Sequence, residues 1–322
     1  MFLCNVLILF LLGLQSLVHS RRDRENGAII GPLIDEGSHS VSGTVYAPSE
    51  DQIYIKGLYY DGEGPDAHFW IGESGRIPDT SGIILRYPRS NTSNNDDPLR
   101  LPRFAGEDVL LDLPEDKNIT QFPWLSIWCR EFSVSFAHVL IPRNLEVPQI
   151  YVLPEFSQVA HGVKSGNITI LNARTIMISK MYYDELGPDA YFWVGTGSTP
   201  DASNGSKIPD EKGSLNVLKS YLGEDILLHL PENLTVYDIN YFGVRCMELK
   251  MNFGYVAIPE DLWVPPALDI PTRNITSLEN GQGSSTIALA MGITIGLLII
   301  ITIVFAIIKF RRRKHGVITD SD

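Results

Sequence analysis

Two cysteines, two histidines and two pairs of aspartates recur along this chain at spacings that could support chemistry. Cys129 closes the string Leu125-Ser126-Ile127-Trp128-Cys129, and Cys246 closes Phe242-Gly243-Val244-Arg245-Cys246. In extended chain Leu125, Ile127 and Cys129 share one face, as do Phe242, Val244 and Cys246. Apolar neighbours two and four residues back turn each sulfur toward a core, while Arg130 and Arg245 point the other way. Such a thiol is a small buried hydrophobe, a redox group or soft ligand, or half of a disulfide between the two sites. His39 and His161 stand in related strings, His39-Ser40-Val41-Ser42-Gly43 and His161-Gly162-Val163-Lys164-Ser165-Gly166. Imidazole and thiolate together could ligate a metal or haem; a histidine at a strand entry also serves by bonding to backbone. His68, His138 and His229 do not recur. Asp61 with Asp66, and Asp184 with Asp189, flank a turn and could offer oxygens to calcium, or bond to their own turn backbone. The chain has no Gly-x-Ser-x-Gly, His-Glu-x-x-His, Cys-x-x-Cys or phosphate loop, so no enzyme signature stands out.

These residues recur because the chain contains a duplicated unit. Tyr59-Tyr60-Asp61 and Gly64-Pro65-Asp66-Ala67-His68-Phe69-Trp70-Ile71-Gly72 return as Tyr182-Tyr183-Asp184 and Gly187-Pro188-Asp189-Ala190-Tyr191-Phe192-Trp193-Val194-Gly195, a lag of 123 residues. Gly106-Glu107-Asp108 and Cys129 return as Gly223-Glu224-Asp225 and Cys246, a lag of 117. Ile77-Pro78-Asp79 returns as Ile208-Pro209-Asp210, after a longer loop in the second copy. The copies span about 29–142 and 153–260, with 143–152 as linker; residues 89–97 read as an insertion in the first copy alone.

Within each copy the period is two. Ile53, Ile55 and Gly57 alternate with Tyr54, Lys56 and Leu58, and Ile176 and Ile178 match them. Gly62, Gly64 and Pro65 turn the chain into a returning strand. The pattern predicts an all-β fold, two tandem sandwiches or barrels of short strands. Each copy is long enough to hold a core without a disulfide framework.

The flanks predict topology. Residues 1–20 carry no charge and hold a short apolar run, with Val18 and Ser20 set for cleavage before Arg21. Residues 287–308 are apolar and long enough to span a bilayer, and Lys309, Arg311, Arg312, Arg313 and Lys314 follow at once. This pattern predicts a single-pass type I protein of the plasma membrane, with 261–286 as a stalk and 309–322 as a cytoplasmic tail. Ala288, Gly292 and Gly296 line one helix face suited to weak self-association. The tail holds five basic and two acidic residues, so the net charge of −12 becomes −15 outside it, which argues against nucleic acid as a partner. Asn91, Asn118, Asn167, Asn204, Asn233 and Asn274 open glycosylation sequons, all on the predicted outer side.

The Gly-Pro-Asp-Ala-aromatic-Phe-Trp-apolar-Gly string, the Ile-Pro-Asp turn, Trp124-Leu125-Ser126-Ile127-Trp128-Cys129-Arg130 and the closing Phe136-Ala137-His138-Val139-Leu140-Ile141-Pro142 resemble the DM-thirteen domain of Skeletor-like animal proteins. That domain usually occurs in tandem, often beside a DOMON domain, which this chain lacks. The resemblance implies an all-β extracellular domain, and a cysteine that takes part in redox chemistry or holds a prosthetic group. In the second copy Trp124, Trp128 and His138 become Tyr241, Arg245 and Tyr255. The expectation is a non-enzymatic surface glycoprotein whose domains bind an extracellular or matrix partner. Its rival is a redox or electron-transfer ectodomain using Cys129 and Cys246, with haem or metal as candidate cofactors.

Overall fold

The computed structural model describes residues 24–87 and 99–270. The first copy contains β1 (Ala28–Pro32), β2 (Ile34–Asp35), β3 (Ser42–Ser49), β4 (Gln52–Tyr60), β5 (Ala67–Gly72), β6 (Ile83–Leu85), β7 (Phe104–Asp112), β8 (Trp124–Cys129) and β9 (Val134–Leu140). The second contains β10 (Tyr151–Leu153), β11 (Ile168–Asn172), β12 (Thr175–Tyr183), β13 (Ala190–Gly195), β14 (Gly205–Lys207), β15 (Tyr221–His229), β16 (Tyr241–Cys246) and β17 (Met251–Ala257). Copy one pairs as β1-β3-β4-β7 and β2-β9-β8-β5-β6, and copy two as β10-β11-β12-β15 and β14-β13-β16-β17. The paired strands run antiparallel. In each copy residues of both sheets share one core: Ile55, Leu58, Phe69, Val109 and Ile127 in the first, and Ile178, Met181, Phe192, Ile226 and Val244 in the second. Each copy is therefore a sandwich, held by the inward residues of two facing sheets.

Among the register shifts of the ladders, two in each copy aim side chains into the core. In β4 the ladder to β7 slips between Ile55 and Leu58, where Gly57 has φ +62°. The slip inverts the phase, so Leu58, placed with Tyr54 and Lys56 by alternation, turns inward and Tyr60 follows it. Asp108 fastens the bulge by accepting the Gly57 N–H at 2.8 Å and the Tyr54 hydroxyl at 2.7 Å. In copy two β12 slips between Ile178 and Met181, and Asp225 accepts the Lys180 N–H at 2.8 Å. This explains why Gly-Glu-Asp recurs. The second bulge is in β9, where Ile127 pairs with Ala137 but Trp128 with Ser135, leaving Phe136 as the extra residue. Phe253 is the extra residue of β17 in the same way.

The structure corrects one repeat alignment. Trp70 Nε1 donates to the Asp79 carbonyl at 2.9 Å, and its counterpart Trp193 donates to Asp201, not to Asp210. Ser81 bonds to the Asp79 carboxylate as Ser203 bonds to that of Asp201. Pro78-Asp79 thus matches Pro200-Asp201; Ile208 instead corresponds to Leu85, and the loop after β13 is not the lengthened one.

The start of the predicted stalk also behaves otherwise. Leu262 and Val264 are buried in the core of copy two, while Trp263 packs against the core of copy one. The Gln149 N–H donates to the Trp263 carbonyl at 3.1 Å, and the Ala173 N–H to that of Pro265 at 2.8 Å. This segment is a strap shared by both domains. Val147, inside the predicted linker, is buried in the first core. Among the described residues no helix is long and apolar enough to cross a membrane. The leader, the apolar stretch with Ala288, Gly292 and Gly296, the tail, and the sequons at Asn91 and Asn274 lie outside the described residues.

Candidate functional site

The bulges assemble the same five side chains in each domain. Cys129, at the end of β8, is 0% exposed and free, and Cys246, at the end of β16, is likewise 0% exposed and free. Tyr60 lies buried in the same core as the thiol, its phenol pushed up to about 12 by burial first, with Asp61 and Cys129 adding to the rise. Tyr183 is also pushed up to about 12 by burial, with Asp184 and Cys246 adding. The Gly64 N–H donates to the Tyr60 hydroxyl at 2.9 Å and the Gly187 N–H to that of Tyr183 at 3.2 Å. Position 64 must be glycine, since a Cβ there would lie 2.5 Å from both Phe136 Cε2 and the Tyr60 hydroxyl.

Phe136 stacks on Tyr60 at 6.2 Å between centroids, and Phe253 on Tyr183 at 6.2 Å. His39 tilts over Phe136 at 4.1 Å, and His161 over Phe253 at 4.2 Å. His39 Nδ1 meets both carboxylate oxygens of Asp61 at 3.0 Å, and His161 Nδ1 meets Asp184 at 3.5 Å. Both histidines have positive φ, +66° and +53°, as do the residues after them, Ser40 and Gly162. Bulky side chains take this conformation at a cost. The site is thus a column from thiol through phenol and phenyl rings to a half-buried imidazole and its carboxylate.

Of the predicted residues, Cys129, His39 and Asp61 join one column and Cys246, His161 and Asp184 the other. Asp66 does not join: it accepts Arg130 Nε at 2.8 Å and pairs with buried His68 at 2.7 Å. Arg130 foremost, then His68, holds its carboxyl below the usual range. Asp189 accepts the Tyr191 hydroxyl. The aspartates of each predicted calcium pair therefore face different protein donors. Among the described residues no three His, Cys, Asp or Glu side chains converge as a metal site. Haem does not fit the thiols either, since both sulfurs are sealed in packed core. Tyr60, Tyr183, Phe136 and Phe253 were missed by sequence reasoning. The signal was present, as Tyr-Tyr-Asp recurs before each turn.

The outer face of β5 and β8 differs between copies. Trp70 and Trp128 stack at 6.2 Å and 14° beside Trp124, whose indole donates to the Ser74 carbonyl at 2.9 Å. In copy two Arg245 takes the place of Trp128; its guanidinium lies under the loop, donating to Pro200 at 3.2 Å and Asn252 at 2.6 Å. Both arrangements pin a loop over the sheet. Asn167, Asn204 and Asn233 are exposed, whereas Asn118 is half-buried and caps a short 3-10 turn.

The chain matches the family described as "Electron transfer DM13" twice, over residues 33–141 and 155–258. It belongs to the DM13 family. Among curated proteins, it is 43% identical over 230 residues to Protein Skeletor, isoforms B/C, of Drosophila melanogaster, covering 71% of this chain and 28% of that protein. Against isoforms D/E the identity is 43% over 230 residues, covering 15% of that protein. The DM13 chain thus spans well under a third of the length of these relatives. No solved structure matches it.

Proposed function

We propose that this protein is an extracellular, membrane-anchored pair of DM13 domains that carries single electrons on Cys129 and Cys246 without a prosthetic group. The carrying observation is the twofold recurrence of the Cys–Tyr–Phe–His–Asp column, while residues of the outer face diverged. The family description supports electron transfer. In the forward step the S–H bond breaks, the electron passes to a one-electron acceptor such as an organic radical, and the proton passes to water during a transient opening of the core that seals the sulfur. Reduction by a one-electron donor restores the thiol. Phenol and thiol lie in one core in each domain, and hydrogen-atom transfer from the phenol to a thiyl radical restores the thiol and leaves a tyrosyl radical. Hexachloroiridate(IV) oxidation of the purified chain, followed by electron paramagnetic resonance, tests this. A thiyl or tyrosyl signal lost in Cys129→Ala with Cys246→Ala is expected; an identical signal in that double variant refutes the reading.

A second reading, a binding module for an extracellular partner, is favoured by one feature of copy one. A shallow groove of about 360 Å³ is floored by Trp128 and edged by Glu36, Val134 and Ile77, the last 77% exposed. Capture of a matrix component that Ile77→Asp abolishes would support it.

A further inference from the structure

We infer that the rings of His39 and His161 are the surface terminals of the two columns, where an electron crosses between the buried site and an outside partner. This rests on the redox reading above.

Three observations carry it. The first is conformational. Each histidine occupies a left-handed position in a turn whose next residue is also left-handed, a geometry that glycine or asparagine adopts most cheaply. Copy two does use Gly162 at the second position, yet both copies keep histidine at the first. A turn alone does not call for that ring.

The second is the geometry of contact. Imidazole over phenyl is 4.1 Å and 49° in one domain and 4.2 Å and 46° in the other. Phenyl on phenol is 6.2 Å in both. His39 also meets Tyr60 directly, edge-on, at 5.9 Å. Contacting rings shorten the through-space gaps that an electron must cross.

The third is the gradient of exposure. The cysteines are 0% exposed, Tyr60 and Tyr183 1% and 2%, and the histidine side chains 23% and 26%. The column reaches solvent at the imidazole. The tryptophans lie across the sheet; Trp70 recurs as Trp193, but Trp128, on which it stacks, becomes Arg245, so they offer no shared route. The charged groups facing the column are Asp61 and Arg100 in the first domain and Asp184 and Glu185 in the second. Asp61 and Asp184 correspond, as the rings do, whereas Arg100 and Glu185 are opposite in sign. The imidazole makes and breaks no bond; the electron passes through it, and the proton balance stays with the thiol.

The test is His39→Asn combined with His161→Asn in the full chain, because asparagine tolerates the left-handed turn. His138→Asn, on the far side of the sheet and paired with Glu36, is the control. The readouts are the stopped-flow rate of oxidation by hexachloroiridate(IV), the midpoint potential and the urea midpoint. The expected result is a several-fold slower rate, with potential and urea midpoint held and the control unchanged. A rate equal to the native one overturns the terminal assignment and leaves the redox reading standing. A fall in the urea midpoint with no loss of rate makes the histidine a packing lid and also overturns it. A native chain that gives no cysteine-dependent radical brings down both.

Discussion

Replacing Cys129 tests how dry the site is. The side chain is 0% exposed and lies in the first core, opposite Ala67 across the ladder. Cys129→Ala removes one heavy atom the size of a methylene, worth about 0.8 kcal/mol of transfer. The space left behind adds about 0.5 kcal/mol if the neighbours do not collapse into it. The sum is about 1.3 kcal/mol. Cys129→Ser fills the volume but buries a hydroxyl among Leu125, Ile127 and Phe69, a further cost of about 1–3 kcal/mol if no partner is found. Serine should therefore be worse than alanine by about 1 kcal/mol or more, in urea melts whose slope is unchanged. Thiol reagents should label the native chain only at the rate of unfolding. Serine equal to alanine, together with prompt native labelling, would refute the sealed-core geometry from which these magnitudes follow.

Asp108→Ala removes the acceptor of two bonds that hold the β4 bulge, and should destabilise the first domain by about 2 kcal/mol; Asp225→Ala loses the single backbone bond at 2.8 Å and should cost less. Tyr60 and Tyr183 keep their protons in the fold, so their stability contribution is intact below the ordinary value of 10.0 and is lost as pH climbs through about 12. Phenolate absorbance should show both ionising late, and Tyr60→Phe with Tyr183→Phe should reduce that late component by two phenols, leaving the share of Tyr54, Tyr221 and Tyr237, which burial also pushes up. Asp66, held low, contributes stability above its unfolded range that is lost as pH falls through the depressed folded value. Arg130→Met, which installs the residue of copy two, should remove about 0.5–1 kcal/mol at neutral pH and flatten the acid limb of the first domain's stability curve.

Much of the architecture was legible because duplication supplied an internal comparison. The all-β class, the tandem organisation and the inward face of Leu125, Ile127 and Cys129 follow from period and repetition. What alternation could not reveal was its own interruption. A bulge changes the face of every later residue, so Leu58 was assigned outward and Tyr60 went unnoticed beside the thiol. The second bulge is equally silent, since Phe136 is simply one more apolar residue in a strand. Pairing of His39 with Asp61 spans a strand hairpin and no local spacing encodes it. The mistaken match of Asp79 with Asp210 arose because two Pro-Asp turns lie close together in copy two, and only the Trp193 hydrogen bond distinguishes them. Pro265, Pro266 and Pro271 follow Trp263 and read as a stalk, yet prolines also suit a strap that crosses two domains without joining a sheet.

That strap sets the order in which the molecule can be completed during synthesis. Domains usually fold as they leave the ribosome, the first before the second. Here Trp263, which closes the first core, is made after the whole second domain. The first sandwich therefore waits, with its Trp263 contact surface open, while the second is translated, and the two are finished together by one late segment.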